Sequence, residues 1–356
     1  MVLSSQSSGF PPSREGTFKF KEAIRWKRPD GAEAAFAITV YVINNGVGPG
    51  VLLSGGVHGD EFEGPLALRR FLHDLDPNEI SGTLFVIPDM NPPALNMRQR
   101  RSLADEQDLN RSFPGKIGGE PTAHIAHFVS TQILPHVDFV LDLHAGGNSG
   151  IIAPSVMTHF LECDELFEKT LRAIEATNAP IALVINELDP AGMLDVEAVR
   201  QGKVFGCAEL GGAGMTTNES VERTLSIIRN FLRYARVSPG ECEPVFWRGE
   251  TQQRWLCVKE RDRHVLAPKA GLFDSIVEVG DVVEADDLLG CFFPSSDDAL
   301  TSVKIVAPYA GFIYERAAGG TVMAGDVLAV IGEPMPGALR ASGAGKIKIV
   351  DQSLKR

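Results

Sequence analysis

The stretch VLLSGGVHGDEFEG, residues 51–64, decides the predicted fold and carries the first candidate site residues. Its apolar beginning, residues 51–53, has the composition of a buried strand, and glycines at 55 and 56 end that strand. Residues 64–75 follow with leucine and phenylalanine side chains at helical spacing. A buried strand that turns through glycine into a helix is the repeating unit of α/β proteins, so this stretch predicts an α/β fold.

The same alternation continues on both sides of this stretch. Further strands are predicted at residues 17–24, 34–44, 83–87, 139–143, 181–185 and 204–208. Further helices are predicted at residues 121–134, 161–177 and 218–234, the last of them capped by Asn218. We therefore predict a mainly parallel, mixed sheet flanked by helices over residues 17–236, preceded by a flexible tail at residues 1–16.

Residues 237–340 have a different character, because helical patterns largely disappear after Pro239. Two segments in this part resemble each other: Ala-Pro-x-Ala-Gly-Leu from Ala267 and Ala-Pro-x-Ala-Gly-Phe from Ala307, each followed by Gly-Asp-Val. Each segment has the pattern of two strands joined by a glycine turn, so the pair predicts a small C-terminal all-β sandwich or barrel. Residues 341–356 are predicted to form a tail.

Composition narrows the classes of function. The chain of 356 residues is 44 % hydrophobic and 22 % charged, which is typical of a globular protein. With 34 Lys and Arg against 46 Asp and Glu, its net charge of −12 opposes binding to nucleic acid or anionic lipid. The five cysteines are scattered without a CxxC pair, and no apolar run is long enough to cross a membrane. We expect a cytoplasmic protein without a secretory signal.

Two histidines and a glutamate at predicted strand ends form a candidate metal site. His58 and Glu61 are three residues apart where the first strand turns into its helix, and His144 ends the strand at 139–143. Imidazole nitrogens and carboxylate oxygens are good zinc ligands, and catalytic zinc sites use three protein ligands. Asp142 is placed to accept the second ring proton of His144. Alternatively, His58 is an ordinary loop histidine, Glu61 is an exposed acid at the start of the helix, and Asp142 caps the turn that follows its strand.

Glu209 is a candidate general acid/base, because it ends a third predicted strand at the same sheet edge. Amide hydrolysis by activated water needs a group that takes a proton from the water and later passes it to the leaving amine. The alternatives for Glu209 are a fourth metal ligand or a structural acid. Strand alternation is expected to turn Cys207 away from the site. The remaining histidines are interpreted as surface or packing residues (His73, His124, His127, His136, His159 and His264).

A basic loop stands out in this acidic chain as a candidate for substrate binding. It contains three arginines at positions 98, 100 and 101, followed by Asp-Leu-Asn-Arg-Ser-Phe-Pro-Gly at residues 108–115. A planar guanidinium beside an amide, as at Arg111 and Asn110, suits a substrate carboxylate. The alternatives are a solvated basic loop or a nucleic-acid contact, and the second is disfavoured because Phe113 is the loop's only aromatic residue.

Taken in order, these motifs resemble the succinylglutamate desuccinylase/aspartoacylase family, which belongs to the zinc carboxypeptidase-like hydrolases. The resemblance spans about residues 51–234 and rests on His58-x-x-Glu61, Asn110-Arg111, Asp142-Leu143-His144 and Glu209. The glycine-rich stretches around His58 and after Glu209, together with Asn-Arg-Ser-Phe-Pro-Gly at residues 110–115, look most like a bacterial branch that includes N-acetyl-diaminobutyrate deacetylases. The chain departs from that branch at Ala145, where serine is expected, and at Asp108, where asparagine is common.

The resemblance implies a role for each candidate residue. It implies one zinc ion per chain on the three candidate ligands, with Glu209 as the general acid/base. Asn110 and Arg111 would bind the substrate carboxylate. Arg100 would polarise the scissile carbonyl group, with Arg101 as the competing assignment and otherwise a substrate-binding residue.

The resemblance also implies a reaction: hydrolytic removal of an acetyl or succinyl group from an N-acylated amino acid by zinc-activated water. A metallocarboxypeptidase that acts on peptides is one alternative, and a metal-dependent binding protein without catalysis is another. A tightly closed pocket would favour the deacylase, and an open groove would favour the peptidase. Sheet edges and the predicted all-β part are compatible with a homo-oligomer.

Overall fold

The computed structural model describes residues 2–4, 14–28, 30–161, 163–186, 191–295 and 301–335, and these form a mixed α/β protein. The α-helices are α1 (Glu63–Asp74), α2 (Pro92–Met97), α3 (Pro121–Phe128), α4 (Asp164–Ala176), α5 (Leu194–Arg200) and α6 (Asn218–Tyr234). The strands up to residue 209 are β1 (Val2–Ser4), β2 (Gly16–Lys27), β3 (Glu33–Asn45), β4 (Gly50–Gly55), β5 (Gly82–Ile87), β6 (Phe139–His144), β7 (Gly150–Ile152), β8 (Ser155–His159), β9 (Ile181–Ile185) and β10 (Val204–Glu209). The later strands, called the C-terminal strands below, are β11 (Arg254–Val258), β12 (His264–Leu266), β13 (Gly271–Ser275), β14 (Val282–Val283), β15 (Leu288–Pro294), β16 (Val303–Val306), β17 (Gly311–Ala317), β18 (Gly320–Val322) and β19 (Val327–Pro334).

One large mixed sheet organises the described part of the chain. Its strand order is β1-β2-β3-β5-β4-β6-β10-β8-β9-β11-β19-β17-β14. The neighbours β5, β4, β6 and β10 run parallel, whereas β2, β3 and β5 pair antiparallel in succession. Because β4, β6 and β10 are parallel neighbours, their carboxyl ends lie at one edge of the sheet.

Apolar side chains of the central strands alternate between two cores on opposite faces of this sheet. Leu52 belongs to one core, which also includes α3 and α5, while Val51 and Leu53 belong to the other, which includes α1, α4 and α6. Strand β4 is buried along its whole length. Burial on both faces explains why β4 reads as a continuous apolar run rather than as an alternating pattern.

Two local predictions need correction. The helix predicted at residues 121–134 is α-helical only to Phe128 and continues as a π-turn, Val129–Ile133, and a 3-10 turn, Leu134–His136. Pro135 lacks the N–H that a continuing helix would use. Helix α6 is capped by Thr217 rather than Asn218, because the Thr217 side chain accepts from the Ser220 N–H at 3.0 Å.

The large sheet continues past residue 236, where we predicted a boundary. Strand β11 pairs in parallel with β9, and β19 then pairs with β11. A second, antiparallel sheet has the order β16-β15-β13-β18. Residues Val2–Ser4, inside the predicted N-terminal tail, pair with β2, whereas the predicted tail at 341–356 lies outside the described residues. None of the described helices is long and apolar enough to span a membrane.

Candidate active site

Three parallel strand ends bring the candidate residues together. Strand β6 ends at His144 and β10 ends at Glu209, and these two residues are direct partners in the parallel register. Strand β4 ends at Gly55, and the following turn carries His58 and Glu61 before α1 begins. The sheet topology therefore places all four side chains at the same edge.

His58, Glu61 and His144 form a buried cluster whose ligand atoms all lie within 4.8 Å of one another. His58 Nδ1 lies 2.7 Å from Glu61 Oε1, and His144 Nδ1 lies 3.0 Å from Glu61 Oε2. The two Nδ1 atoms are 3.3 Å apart. Two imidazole nitrogens and a carboxylate that converge in this way are a donor set suited to a zinc ion.

Each imidazole turns its other nitrogen toward a carboxylate. His144 Nε2 lies 2.7 Å from Asp142 Oδ2, and the Ser54 hydroxyl donates to the second Asp142 oxygen at 2.6 Å. His58 Nε2 lies 3.2 Å from Asp108 Oδ1. Carboxylates at both Nε2 atoms favour the tautomer with Nε2 protonated, which leaves Nδ1 as an electron-pair donor. Asp142 is the partner predicted for His144 from the sequence, whereas the contact of Asp108 with His58 was not predicted, although Asp108 begins the motif at residues 108–115.

The charges of this cluster support one another despite their burial. Burial lowers the pKa of His144, but the charges of Asp142 and Glu61 outweigh it and raise this pKa well above its ordinary value. Burial raises the pKa of Glu61, but His58 and His144 outweigh it, so this pKa lies well below its ordinary value. The site therefore favours an ionised carboxylate between two imidazoles.

The structure distinguishes Arg100 from Arg101, the two candidates for polarising the scissile carbonyl group, by their positions relative to the pocket. Arg100 lines the same pocket as the cluster, with Nη1 4.0 Å from Glu61 Oε1 and 3.5 Å from His58 Nδ1. Its Nε donates to Asp108 at 2.9 Å, and 49 % of its side chain remains exposed. Arg101 is exposed and is absent from the described residues that line this pocket.

Asn110 and Arg111 lie in a short 3-10 turn, Leu109–Arg111, and both line the pocket. The Asp108 side chain caps this turn by accepting from the Asn110 N–H at 2.9 Å. The Asn110 side-chain oxygen accepts from the Leu194 N–H at 3.0 Å. Because this bond occupies the side-chain oxygen of Asn110, the NH₂ group of the same side chain is the part that can donate in the pocket.

Glu209 is partly buried in the pocket wall beside two residues to which the sequence analysis gave no role in the site. Cys207 lines the same pocket, which corrects the expectation that it points away. Residues two apart on a strand share a face, so Cys207 and Glu209 point the same way while Ala208 faces the opposite core. Tyr314 is buried and lines the same pocket, and burial together with the charge of Glu209 raises its pKa well above the ordinary value.

The C-terminal strands form part of a pocket of about 420 Å³ around the cluster. They contribute His264, Tyr314, Glu315, Val327 and Val330. His264 was interpreted as a surface or packing residue, but β12 pairs with β19 and brings it to the pocket. No short motif marks these residues, because only the pairing of distant strands brings them near the histidines.

Several known proteins are similar to this chain in sequence and in structure. The family model of the succinylglutamate desuccinylase/aspartoacylase catalytic domain matches residues 47–235. The N-alpha-acetyl-L-2,4-diaminobutyric acid deacetylase of Halomonas elongata is 34 % identical over 304 residues, which cover 85 % of this chain and 88 % of that protein. A product-bound structure of the ectoine utilization protein EutE (DoeB) from Ruegeria pomeroyi is similar with a TM-score of 0.84 at 33 % identity, covering 90 % of this chain and 96 % of that one. A crystal structure of a succinylglutamate desuccinylase/aspartoacylase from Rhodobacter sphaeroides is similar with a TM-score of 0.84 at 33 % identity, covering 91 % of this chain and 97 % of that one.

Proposed function

This chain belongs to the succinylglutamate desuccinylase/aspartoacylase family and is an amide hydrolase, and from that premise we propose that it is a zinc-dependent N-acyl amino acid deacylase. The observation that carries the proposal is the convergence of His58, Glu61 and His144 beside Glu209 in one pocket. The name of the Halomonas relative supports an acetyl group as the group removed, with succinyl as the other family option.

We assign the metal site to His58 Nδ1, His144 Nδ1 and the Glu61 carboxylate. The buried donor set of two nitrogens and one carboxylate fits zinc, and three protein ligands leave a position for water or substrate. When bound, such an ion activates water and polarises an amide carbonyl group. Asp142 and Asp108 hold the two imidazoles in the ligating tautomer.

The remaining catalytic and binding roles are assigned to residues that line the pocket. Glu209 takes a proton from the attacking water and gives it to the leaving amine. Arg100 donates to the carbonyl oxygen as negative charge develops there, because its guanidinium lies beside the cluster, whereas Arg101 is not among the described residues that line the pocket. Asn110 and Arg111 bind the substrate carboxylate through the amide NH₂ and the guanidinium.

The shape of the pocket favours a small substrate over a peptide. Residues of β17 and β19 line the same pocket as Asn110 and Arg111, so the pocket is not bounded by the parallel strands alone. A metallocarboxypeptidase that acts on peptides is the alternative, and the experiment below distinguishes it from the deacylase. A cytoplasmic location is compatible with the free state of the described cysteines, since none of them is in a disulfide.

Metal content and hydrolysis, measured on the same preparation, test this proposal. We expect about one zinc per chain and amine release from one or more N-acetyl, N-succinyl or N-formyl amino acids, with activity lost on chelation and restored by zinc. Glu209→Gln should keep the metal and lose turnover by about 10²–10⁴-fold. Glu219→Gln, an exposed acid on α6, is the matched control. Cleavage of peptides without cleavage of any N-acyl amino acid would replace the deacylase by the peptidase.

A further inference from the structure

The turn that carries Asn110 and Arg111 is hydrogen-bonded to the chain segment that begins α5. The Leu194 N–H donates to the Asn110 side-chain oxygen at 3.0 Å. The Phe113 N–H donates to the Gly192 carbonyl oxygen at 2.9 Å. Because these bonds lie on both sides of Arg111 in the sequence, the position of the turn depends on where α5 begins.

Gly192 brings the two backbone segments into direct contact. Its φ is +77°, in the left-handed region that glycine adopts without strain. A Cβ on Gly192 would lie 2.3 Å from the Arg111 carbonyl oxygen, so a larger residue would displace one of the two segments. Any shift of the start of α5 would therefore be passed on to the turn.

The bond from Leu194 also sets the orientation of the Asn110 amide. Since the Leu194 N–H uses the oxygen, the NH₂ group is left for the pocket, and NH₂ can donate to a carboxylate whereas the oxygen cannot. Without that bond, rotation of the amide could turn its oxygen toward a bound carboxylate, where two acceptors would repel each other. The Leu194 N–H therefore decides whether Asn110 can bind a carboxylate.

His159 and Asp195 hold the start of α5 in place. The N-cap residue Met193 makes no side-chain cap bond. Asp195 is buried, with one oxygen accepting from the Val196 N–H at 2.6 Å and the other 3.1 Å from His159 Nδ1. An ionised carboxylate only accepts, so His159 is the donor. Because His159 ends β8, this bond links the start of α5 to the large sheet.

His159 and Asp195 lie outside the described lining of the pocket, whereas Met193, directly before α5, is part of it. His159 was interpreted from the sequence as a surface or packing residue, and only 18 % of its side chain is exposed. An effect of this pair on the substrate would therefore pass through residues 192–195 to Asn110. Such an effect would concern binding rather than the chemical step.

We propose that His159 and Asp195 are positioning residues, which hold the start of α5 so that the Leu194 N–H keeps the Asn110 amide in its carboxylate-binding orientation. The inference rests on the proposed function, in which Asn110 binds the substrate carboxylate. It gives a role to a buried histidine–aspartate pair that is separate from the metal ligands. Loss of the pair weakens substrate binding, while the metal site and the chemical step are retained.

Two substitutions of His159 test the proposal, with kcat and KM measured separately on the N-acyl amino acid that the wild type hydrolyses best. His159→Leu removes the donor to Asp195. We expect its KM to rise by about tenfold, the value of one hydrogen bond to a charged group, with kcat changed by less than about threefold. His159→Asn keeps an N–H donor near the place of Nδ1 and should return KM to within about threefold of the wild-type value. His73→Leu, which removes an exposed histidine beside Asp74, is the matched control and should change neither constant.

An unchanged KM in His159→Leu, or a raised KM that His159→Asn does not restore, would overturn the inference. If the wild type hydrolyses no N-acyl amino acid, the proposed function fails, and hydrogen exchange measured by mass spectrometry tests the positioning without substrate. We then expect faster exchange in peptides covering residues 108–113 and 192–196 of His159→Leu but not of His159→Asn, and any other pattern would refute the positioning role. If His159→Leu does not fold, Asp195→Asn replaces it in both measurements, because it keeps the size of the side chain and removes its charge.

Discussion

Asp142→Asn tests how the proposed metal site at His58, Glu61 and His144 is held together. Asp142 is buried, with one oxygen 2.7 Å from His144 Nε2 and the other accepting from the Ser54 hydroxyl at 2.6 Å. The substitution preserves size and hydrogen-bonding capacity while it removes the charge. Its effect on metal affinity therefore reports how strongly the carboxylate fixes the ligating state of His144.

The geometry sets the size of the effect, because the new amide has two orientations. With its nitrogen toward His144, it would favour the tautomer whose Nδ1 is protonated and cannot bind a metal. With its oxygen toward His144, it would keep the correct tautomer but lose the charge assistance. Loss of a carboxylate partner of this kind weakens metal binding by about 10–100-fold, equivalent to about 1.4–2.8 kcal/mol.

Competition of the metal-free protein with a chromophoric chelator for zinc would measure this loss at one fixed pH. Asp195→Asn is the matched control, because Asp195 is also a buried partner of a histidine, His159 at 3.1 Å, but lies outside the described pocket lining. A folded Asp142→Asn variant with zinc affinity within about threefold of the wild type would show that the Asp142 carboxylate does not fix the ligating state of His144.

Three further predictions concern charge. Burial raises the pKa of Glu63 from 4.5 to about 7, so its ionisation destabilises the folded state as pH rises from about 4.5 to about 7. In the metal-free protein, Glu63→Gln should remove this loss. The difference in free energy of unfolding between the variant and the wild type should therefore grow in favour of the variant by about 3 kcal/mol as pH rises through this range, measured by urea denaturation. Because the pKa of His144 is raised, zinc binding near neutral pH should release a proton and strengthen as pH rises, measured by calorimetry in buffers of different ionisation enthalpy. Arg100→Lys should lower kcat by about 10²-fold with zinc retained, whereas Arg101→Lys should change it little, measured by steady-state amine release.

Each of these predictions has a contrary outcome. If the difference in free energy of unfolding between Glu63→Gln and the wild type does not change with pH, then ionisation of Glu63 does not destabilise the folded protein. Zinc binding without proton release would mean that His144 is already neutral in the metal-free site. A larger loss of kcat in Arg101→Lys than in Arg100→Lys would transfer the carbonyl-polarising role to Arg101.

The sequence indicated that the inner residues of this candidate site would lie together, because each of them stands at the end of a predicted strand or in the turn that follows it. His144 and Glu209 close apolar runs, and parallel neighbours must end at the same edge of the sheet. His58 and Glu61 occupy a turn that glycines mark in the sequence. The alternation of apolar strands and helical segments likewise sufficed for the mixed α/β fold.

The pocket's outer wall could not be predicted in the same way. Tyr314 and Glu315 reach the pocket through a bulge and through pairing of β17 with β7, which depend on contacts between residues far apart in the chain. Asp108 acts through its distance to His58, which no local spacing indicates. Cys207 is a different case, because applying the two-residue strand period to Glu209 would have placed it correctly.

The proposed function requires that His58, Glu61 and His144 hold a metal ion on which amide hydrolysis depends. A crystal structure of enzymatically active protein, prepared without added metal and measured with anomalous data on both sides of the zinc edge, would locate this ion. We expect one zinc peak per chain, bonded to Nδ1 of both histidines and to the Glu61 carboxylate. Active protein with no zinc at these three residues, or with zinc bound elsewhere, would contradict it.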